Sequence, residues 1–96
     1  MPSLPALRSQ RDAILGCAQK HGAVAVRIFG SVSRGEERGD SDVDFLVRFE
    51  LERSLIDQIA LIQDLGALLG ASVDVVDEGG LSPYLRPQVL RDAVPL

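Results

Sequence analysis

The sequence predicts an α/β or α+β fold in which helices cover at least one face of a small β-sheet. Two stretches alternate apolar and other residues with the period of two that half-buried strands show, and a third, shorter apolar stretch follows later. Apolar residues three or four apart fill the segments before and between them, as in amphipathic helices. The predicted order is αβ(α)βαβα, in one domain over residues 1–96.

The N-terminal half predicts a helix, a strand and a short helical turn. Helical spacing predicts one helix over roughly 4–20, and Gly22 marks its end. Alternation over 24–29 predicts the first strand. The short polar segment 31–38 predicts one or two helical turns, followed by a turn at Gly39-Asp40.

The C-terminal half predicts two strands and two helices. Residues 42–49 alternate again, which indicates a strand with Val43, Phe45 and Val47 facing helices and Asp42, Asp44 and Leu46 on the other face. A helix over 54–69 has an apolar stripe that predicts core contacts, part of which we expect to face a partner: Leu55, Ile59, Ile62, Leu65 and Leu69. A short strand over 72–77 follows.

The last helix has two candidate starting points. It spans about 82–93 if Ser82-Pro83 is its N-terminal cap. It begins only at Pro87 if the cost of about 3 kcal/mol for a proline inside a helix prevents a helix from running through that position.

Composition and charge exclude several classes of protein. Hydrophobic residues make up 46% and charged residues 25% of the chain, which indicates neither a disordered nor a membrane protein. No apolar run approaches the roughly 20 residues of a spanning helix, and the N-terminus lacks a secretion pattern. The single cysteine, Cys17, cannot form an internal disulfide and is expected to be buried. We therefore expect a cytoplasmic protein.

The net charge of −4 is unevenly distributed. Residues 1–38 carry six basic and three acidic residues, whereas residues 39–96 carry four basic and eleven acidic ones. Clustered lysine and arginine are required for phosphate-backbone binding, so direct nucleic-acid binding is not expected. The acidic second segment favours a metal-dependent site instead.

The candidate site begins at Gly30-Ser31, where the first predicted strand ends. Such a corner exposes backbone N–H groups, and glycine lets a phosphate approach them closely. Asp42 and Asp44 are two residues apart on the next strand, so their carboxylates share one face about 6–7 Å apart at the backbone. Oxygen ligands of this kind suit Mg²⁺ that also contacts substrate phosphates.

A third carboxylate is expected if two metal ions are to be held about 4 Å apart. Asp74 is the first choice, as both metal ligand and general base, because it lies in a strand that can run beside the strand of Asp42 and Asp44. Asp77 is the reserve candidate, while Asp57 and Asp64 fall in the predicted helix.

Four other polar side chains have competing interpretations. Arg34 either contacts a phosphate or a neighbouring aspartate, or forms a structural ion pair that holds the loop. A substrate role for Arg27 is disfavoured, because exposed arginines are common on strands. His21 follows a helix end without companion ligands, which favours capping or solvent contact, and Tyr84 is expected to pack.

The pattern Gly30-Ser31, Arg34-Gly35 and Ser41-Asp42-Val43-Asp44 resembles the signature of the DNA polymerase beta nucleotidyltransferase superfamily. It is most similar to the minimal nucleotidyltransferase (MNT) group. The resemblance covers nearly the whole chain, and it implies a small mixed sheet of three or four strands packed against about four helices. It also implies catalytic, metal-binding Asp42, Asp44 and Asp74 with two Mg²⁺ ions, and Gly30 and Ser31 as the nucleotide-binding corner.

The resemblance further implies a function and a partner. Many MNT proteins act as antitoxins of a HEPN-domain RNase toxin by transferring AMP from ATP to a tyrosine of that toxin, and they bind it. On this basis we expect an ATP-using protein adenylyltransferase that forms a homo-oligomer or a hetero-oligomer with the toxin. The alternatives are a non-catalytic antitoxin or nucleotide-binding module, and a small-molecule nucleotidyltransferase acting on an antibiotic hydroxyl.

Overall fold

The computed structural model describes residues 2–36, 38 and 42–96. Within these residues the chain forms, in order, α1 (Leu4–Ser9), α2 (Arg11–Lys20), β1 (Ala23–Phe29), α3 (Gly30–Ser33), β2 (Val43–Phe49), α4 (Leu55–Leu69), β3 (Val73–Asp77), a 3₁₀ turn (Glu78–Gly80), α5 (Arg86–Asp92) and β4 (Val94–Pro95). The predicted order of elements is confirmed from β1 to α5; two helices replace the single predicted helix before β1, and a short strand follows α5. The predicted turn at Gly39-Asp40 lies outside the described residues.

The four strands form one mixed sheet in the order β3-β2-β1-β4. β1 is antiparallel to β2 and to β4, whereas β2 and β3 are parallel. Parallel neighbours require a crossover connection, and α4 supplies it between β2 and β3. The predicted mixed sheet of three or four strands is therefore confirmed.

The prediction of a single helix over 4–20 is wrong, because the chain bends at Gln10. Gln10 has φ −107° and ψ 19°, outside helical values, and separates α1 from α2. Leu7 on α1 is fully buried, and Arg8 donates a hydrogen bond to the Pro95 carbonyl at 2.9 Å. These contacts hold α1 against the far edge of the sheet, which the local apolar spacing does not encode.

The core lies between one face of the sheet and helices α2 and α4. Val43, Phe45 and Val47 are fully buried, as predicted from their alternation. On α4 the buried positions are Leu61 and Leu65, with Ile62 and Leu69 packed against the core. Ile59 is 47% exposed and Leu55 67% exposed, so the N-terminal end of the predicted stripe does not contribute to the core.

The opposite face of the sheet is covered over part of its area. Leu46, which the alternation predicts on this face beside the aspartates, is only 1% exposed. The 3₁₀ turn packs against β2, and Glu78 within it pairs with Arg27, the register partner of Leu46, at 2.9 Å. This cover leaves the N-terminal end of β2, where Asp42 lies exposed, accessible.

The last helix follows the second of its two predicted starting points. α5 begins at Arg86, one residue before Pro87, so that the proline lies in the first helical turn. The hydroxyl of Ser82 instead accepts a hydrogen bond from the Tyr84 N–H within a turn. Tyr84 is 94% exposed, so the prediction that it packs is wrong. None of the helices in the described part of the chain has the length and apolarity that crossing a bilayer requires.

Candidate active site

Three neighbouring strands bring two of the predicted aspartates into one row. Phe29 at the end of β1 is the register partner of Asp44 on β2, and Asp44 is the register partner of Asp74 on β3. Adjacent strands lie about 4.8 Å apart, and residues directly opposite each other project from the same face. Asp42 precedes Asp44 by two residues and shares this face.

The electrostatics show that the three acids are close together. Partial burial is the largest cause that raises the pKa of Asp44 from its ordinary 3.8 to about 6, followed by the negative charges of Asp74 and Asp42, while Arg34 lowers it. Asp42 and Asp74 are exposed. The cluster of Asp42, Asp44 and Asp74 is thus negatively charged, and Asp42 and Asp74 leave it open to solvent.

Gly30 lies directly against this cluster. Its φ of +75° falls in the left-handed region that favours glycine. A Cβ atom at this position would overlap the Asp44 carboxylate, whose carbon would be only 3.1 Å away. Glycine is therefore required both by the backbone conformation and by the approach of Asp44. Gly30 thus lies beside the Asp44 carboxylate.

The corner continues into the single turn of α3. The Ser33 hydroxyl donates a hydrogen bond to the Gly30 carbonyl at 2.8 Å, and the Glu36 N–H donates to the Ser31 carbonyl at 2.8 Å. These bonds fix the path of the backbone after β1. The first N–H groups of such a turn have no partner within it, so they remain available to a phosphate.

Arg34 at the end of α3 is engaged by two acids. Its Nη1 lies 2.6 Å from Asp92 on α5, and its Nε lies 3.1 Å from Glu36. Hydrogen bonds from Glu36 and Asp92 raise the pKa of Arg34. Of the two interpretations of Arg34, the structure shows the ion pair that holds the loop, here against α5.

A cavity of about 210 Å³ adjoins the corner. Its walls come from the end of β1, from α3 and from α5: Phe29, Gly30, Arg34, Leu85, Gln88, Val89 and Asp92. Sequence reasoning missed the α5 contribution. No motif or spacing marks Gln88 or Val89, because their position depends on how α5 folds back onto β1 and α3.

The other acids considered from the sequence lie elsewhere. Asp77 is three residues after Asp74 on the same strand and accepts a hydrogen bond from the Gly79 N–H at 3.1 Å, so it stabilises the 3₁₀ turn. Asp57 forms a capping box with Ser54 at the start of α4. Asp64 pairs with His21 on the helix layer. None of the three joins the cluster of Asp42, Asp44 and Asp74.

The donor set of this cluster fits a hard divalent cation. Three carboxylates supply only oxygen ligands, which Mg²⁺ prefers, and a cation would offset the negative charges of Asp74 and Asp42, which add to burial in raising the pKa of Asp44. The open side of the cluster leaves room for waters and phosphate oxygens.

Comparison with known proteins identifies the family of this chain. Residues 11–96 match the family described as the Nucleotidyltransferase domain. The protein adenylyltransferase MntA of Thermococcus cleftensis is 43% identical over 76 residues, which cover 79% of this chain and 77% of that protein.

Two solved structures are also similar. One of a candidate minimal nucleotidyltransferase shares 55% identity, covers 98% of this chain and 96% of that chain, and gives a TM-score of 0.86. A toxin-antitoxin crystal structure with AMP-PNP shares 27% identity, covers 88% of this chain and 69% of that chain, and gives a TM-score of 0.77. The fold, the extent of the family match and these relatives together show that the chain belongs to the nucleotidyltransferase-domain family and is a nucleotidyltransferase of the minimal type.

Proposed function

We propose that this protein transfers AMP from ATP to a tyrosine hydroxyl of a HEPN-domain toxin and so acts as its antitoxin. The observation that carries the proposal is the convergence of Asp42, Asp44 and Asp74 on the Gly30-Ser31 corner. A carboxylate cluster beside a turn with free N–H groups is suited to a metal-bound triphosphate.

Two relatives support the choice of nucleotide and acceptor. The Thermococcus cleftensis relative is named a protein adenylyltransferase, which supports AMP as the transferred group and a protein as the acceptor. The toxin-antitoxin structure contains AMP-PNP, an ATP analogue, and supports both ATP and a toxin partner. The tyrosine hydroxyl and the HEPN class of the toxin follow from the resemblance to the MNT group.

The roles of the site residues follow from their positions. Asp42, Asp44 and Asp74 would hold Mg²⁺, which supplies charge stabilisation to the triphosphate and lowers the pKa of the attacking hydroxyl. The N–H groups at Gly30 and Ser31, with the Ser31 hydroxyl, bind phosphate oxygens. In the transfer, the acceptor oxygen forms a bond to the α-phosphorus, the bond from the α-phosphorus to the bridging oxygen breaks, and pyrophosphate leaves.

Asp74 is assigned as the general base that accepts the proton of the attacking hydroxyl. Asp74 lies at the outer end of the row and is exposed, so that an acceptor from another chain can reach it, whereas Asp44 lies deeper against Gly30.

The cavity beside Gly30 is smaller than the roughly 300 Å³ at which whole small-molecule pockets begin, so it suits the nucleoside part of ATP alone. The triphosphate then extends toward the acids.

An exposed apolar surface beside the cleft supports a protein acceptor. Leu85 lines the cavity and is 58% exposed, and the neighbouring Tyr84 is 94% exposed. Large exposed apolar side chains next to a reaction site suit contact with another protein. A small-molecule acceptor would leave them in water.

The test compares two aspartates of β3 that lie three residues apart. Asp74→Asn should abolish transfer of labelled AMP from ATP to the purified toxin in the presence of Mg²⁺. Asp77→Asn removes the same charge from the same strand but outside the cluster, and Asn still accepts the Gly79 hydrogen bond, so transfer should persist. Binding of each variant to the toxin is measured in parallel, and intact-protein mass spectrometry with peptide mapping locates the modified residue.

The outcome separates the alternatives. Loss of transfer and of toxin neutralisation in Asp74→Asn, with complex formation preserved, supports the enzyme. Neutralisation that survives Asp74→Asn would establish a binding antitoxin instead. No transfer by the unmodified protein to the toxin, together with transfer to an aminoglycoside, would replace the proposal by a small-molecule activity.

A further inference from the structure

A second group of metal-ligating side chains lies on the helix layer. Cys17 lies on α2, and His21, four residues later, caps the C-terminal end of that helix on the same side, while Asp64 faces them from α4. Their ligand atoms all lie within 4.8 Å of one another. The sequence analysis found no companion for His21, because Asp64 is 43 residues away along the chain.

This cluster is separate from the aspartates of the candidate active site. α2 and α4 pack against each other and contribute Ile14, Ala18, Leu61 and Leu65 to the core on one face of the sheet. Asp44 projects from the other face, which is shown by the burial of its neighbours Val43 and Phe45 in that core. The sheet therefore lies between the two groups.

We propose that Cys17, His21 and Asp64 form a Zn²⁺ site that links α2 to α4. Sulfur, imidazole nitrogen and carboxylate oxygen are the three ligand types that zinc takes, whereas a thiol is a poor ligand for Mg²⁺. The site of Asp42, Asp44 and Asp74 would thus select Mg²⁺, whereas the site of Cys17, His21 and Asp64 would select Zn²⁺.

The spacing of the three side chains is compatible with one ion. Zinc bond lengths of about 2.0–2.3 Å in a tetrahedral arrangement place ligand atoms about 3.3–3.6 Å apart. The His21 Nε2 and Asp64 Oδ2 atoms are 2.5 Å apart, in a hydrogen bond whose proton the ion would replace. Side-chain rotations that move these atoms by about 1 Å would separate His21 Nε2 from Asp64 Oδ2 to the spacing that zinc requires. They would also bring the Cys17 sulfur closer to both atoms.

The exposure of the cluster leaves a fourth coordination position to water. The Cys17 side chain is half-buried, that of His21 is 16% exposed and that of Asp64 is 47% exposed. The backbone N–H of His21 caps α2 by hydrogen bonds to the Ala18 and Gln19 carbonyls, so the main chain of one ligand residue is fixed before metal binds. The site would act as a cross-link between two helices that stabilises the fold.

The experiment uses Co²⁺ as a spectroscopic substitute for Zn²⁺ in the full chain, without a histidine tag and under reducing conditions. Cys17 is the single cysteine of the chain, so a thiolate-to-cobalt charge-transfer band reports this residue alone. We expect one Co²⁺ per chain with such a band, and its displacement by Zn²⁺. Zn²⁺ at about 100 times its dissociation constant should raise the melting temperature by roughly 10 °C or more.

Variants identify the ligands. Cys17→Ser should remove the band, and His21→Gln and Asp64→Asn should each weaken Zn²⁺ binding at least about tenfold. The double variant Asp42→Asn with Asp44→Asn disables the other cluster and should keep the band. The absence of a band in the unmodified chain at saturating Co²⁺, or unchanged Zn²⁺ affinity in Cys17→Ser, would overturn the proposal. The band of the unmodified chain does not depend on the folding of any variant.

Discussion

Replacing Asp44 with asparagine should make the metal-free protein more stable at neutral pH while it removes activity. Asp44 is partly buried and lies beside Asp74 and Asp42, which together raise its pKa from 3.8 to about 6. Asparagine keeps the shape of the side chain without the charge. The variant therefore relieves repulsion and desolvation that the native fold tolerates at this site.

The expected gain in stability follows from the size of the Asp44 pKa shift. About 2 pKa units correspond to about 3 kcal/mol, and solvent screening of a partly exposed carboxylate reduces this to roughly 1–2 kcal/mol. A raised carboxyl pKa favours the folded state fully below pH 3.8, and this contribution is lost as the pH rises through about 6. The advantage of asparagine should thus be complete above pH 6 and absent below pH 3.8.

The assay is urea denaturation of the unmodified chain and of Asp44→Asn in a chelating buffer, at pH 7.5 and at pH 3.5. The control is Glu52→Gln, an exposed residue of the turn before α4, which makes the same change of charge and should shift stability by less than about 0.5 kcal/mol at both pH values. Equal stability of Asp44→Asn and the unmodified chain at pH 7.5, or a gain of the same size at both pH values, would refute this reasoning.

Three further predictions concern the corner, the loop and the core. Gly30→Ala should lower the free energy of unfolding by at least 1 kcal/mol more than Gly35→Ala in urea melts, because both have positive φ but only Gly30 faces Asp44. Arg34→Met should raise the Asp44 pKa above its present value of about 6, measured by NMR of the carboxyl carbon, since the charge of Arg34 lowers this pKa. Leu65→Ala should cost about 2–5 kcal/mol, measured by denaturation.

The fold could be predicted where local patterns and tertiary packing agree. The alternation around Val43, Phe45 and Val47 correctly indicated their burial, since period two fixes which side chains share a face. Local sequence periodicity could not predict the bend at Gln10 or the exposure of Leu55. Helical spacing describes one helix at a time, whereas the contacts of α1 and the length of the sheet under α4 decide which positions are covered.

For the candidate site, the sequence by itself predicted which residues would carry the chemistry. Gly30-Ser31 and the Asp42 and Asp44 pair are close in sequence, and strand geometry alone places both acids on one face. The choice of Asp74 over Asp77 also rested on the sequence, but only the parallel register of β2 and β3 puts Asp74 directly beside Asp44.

What only the tertiary structure decided involves residues that are distant in the chain. The pKa of Asp44, the pairing of Arg34 with Asp92 across 58 positions and the meeting of Asp64 with His21 depend on how separate elements pack. Local propensity carries no information about such pairs, because hydrophobic burial, which is non-directional, brings the elements together. The sequence supplied the reactive groups, and packing set their distances and charges.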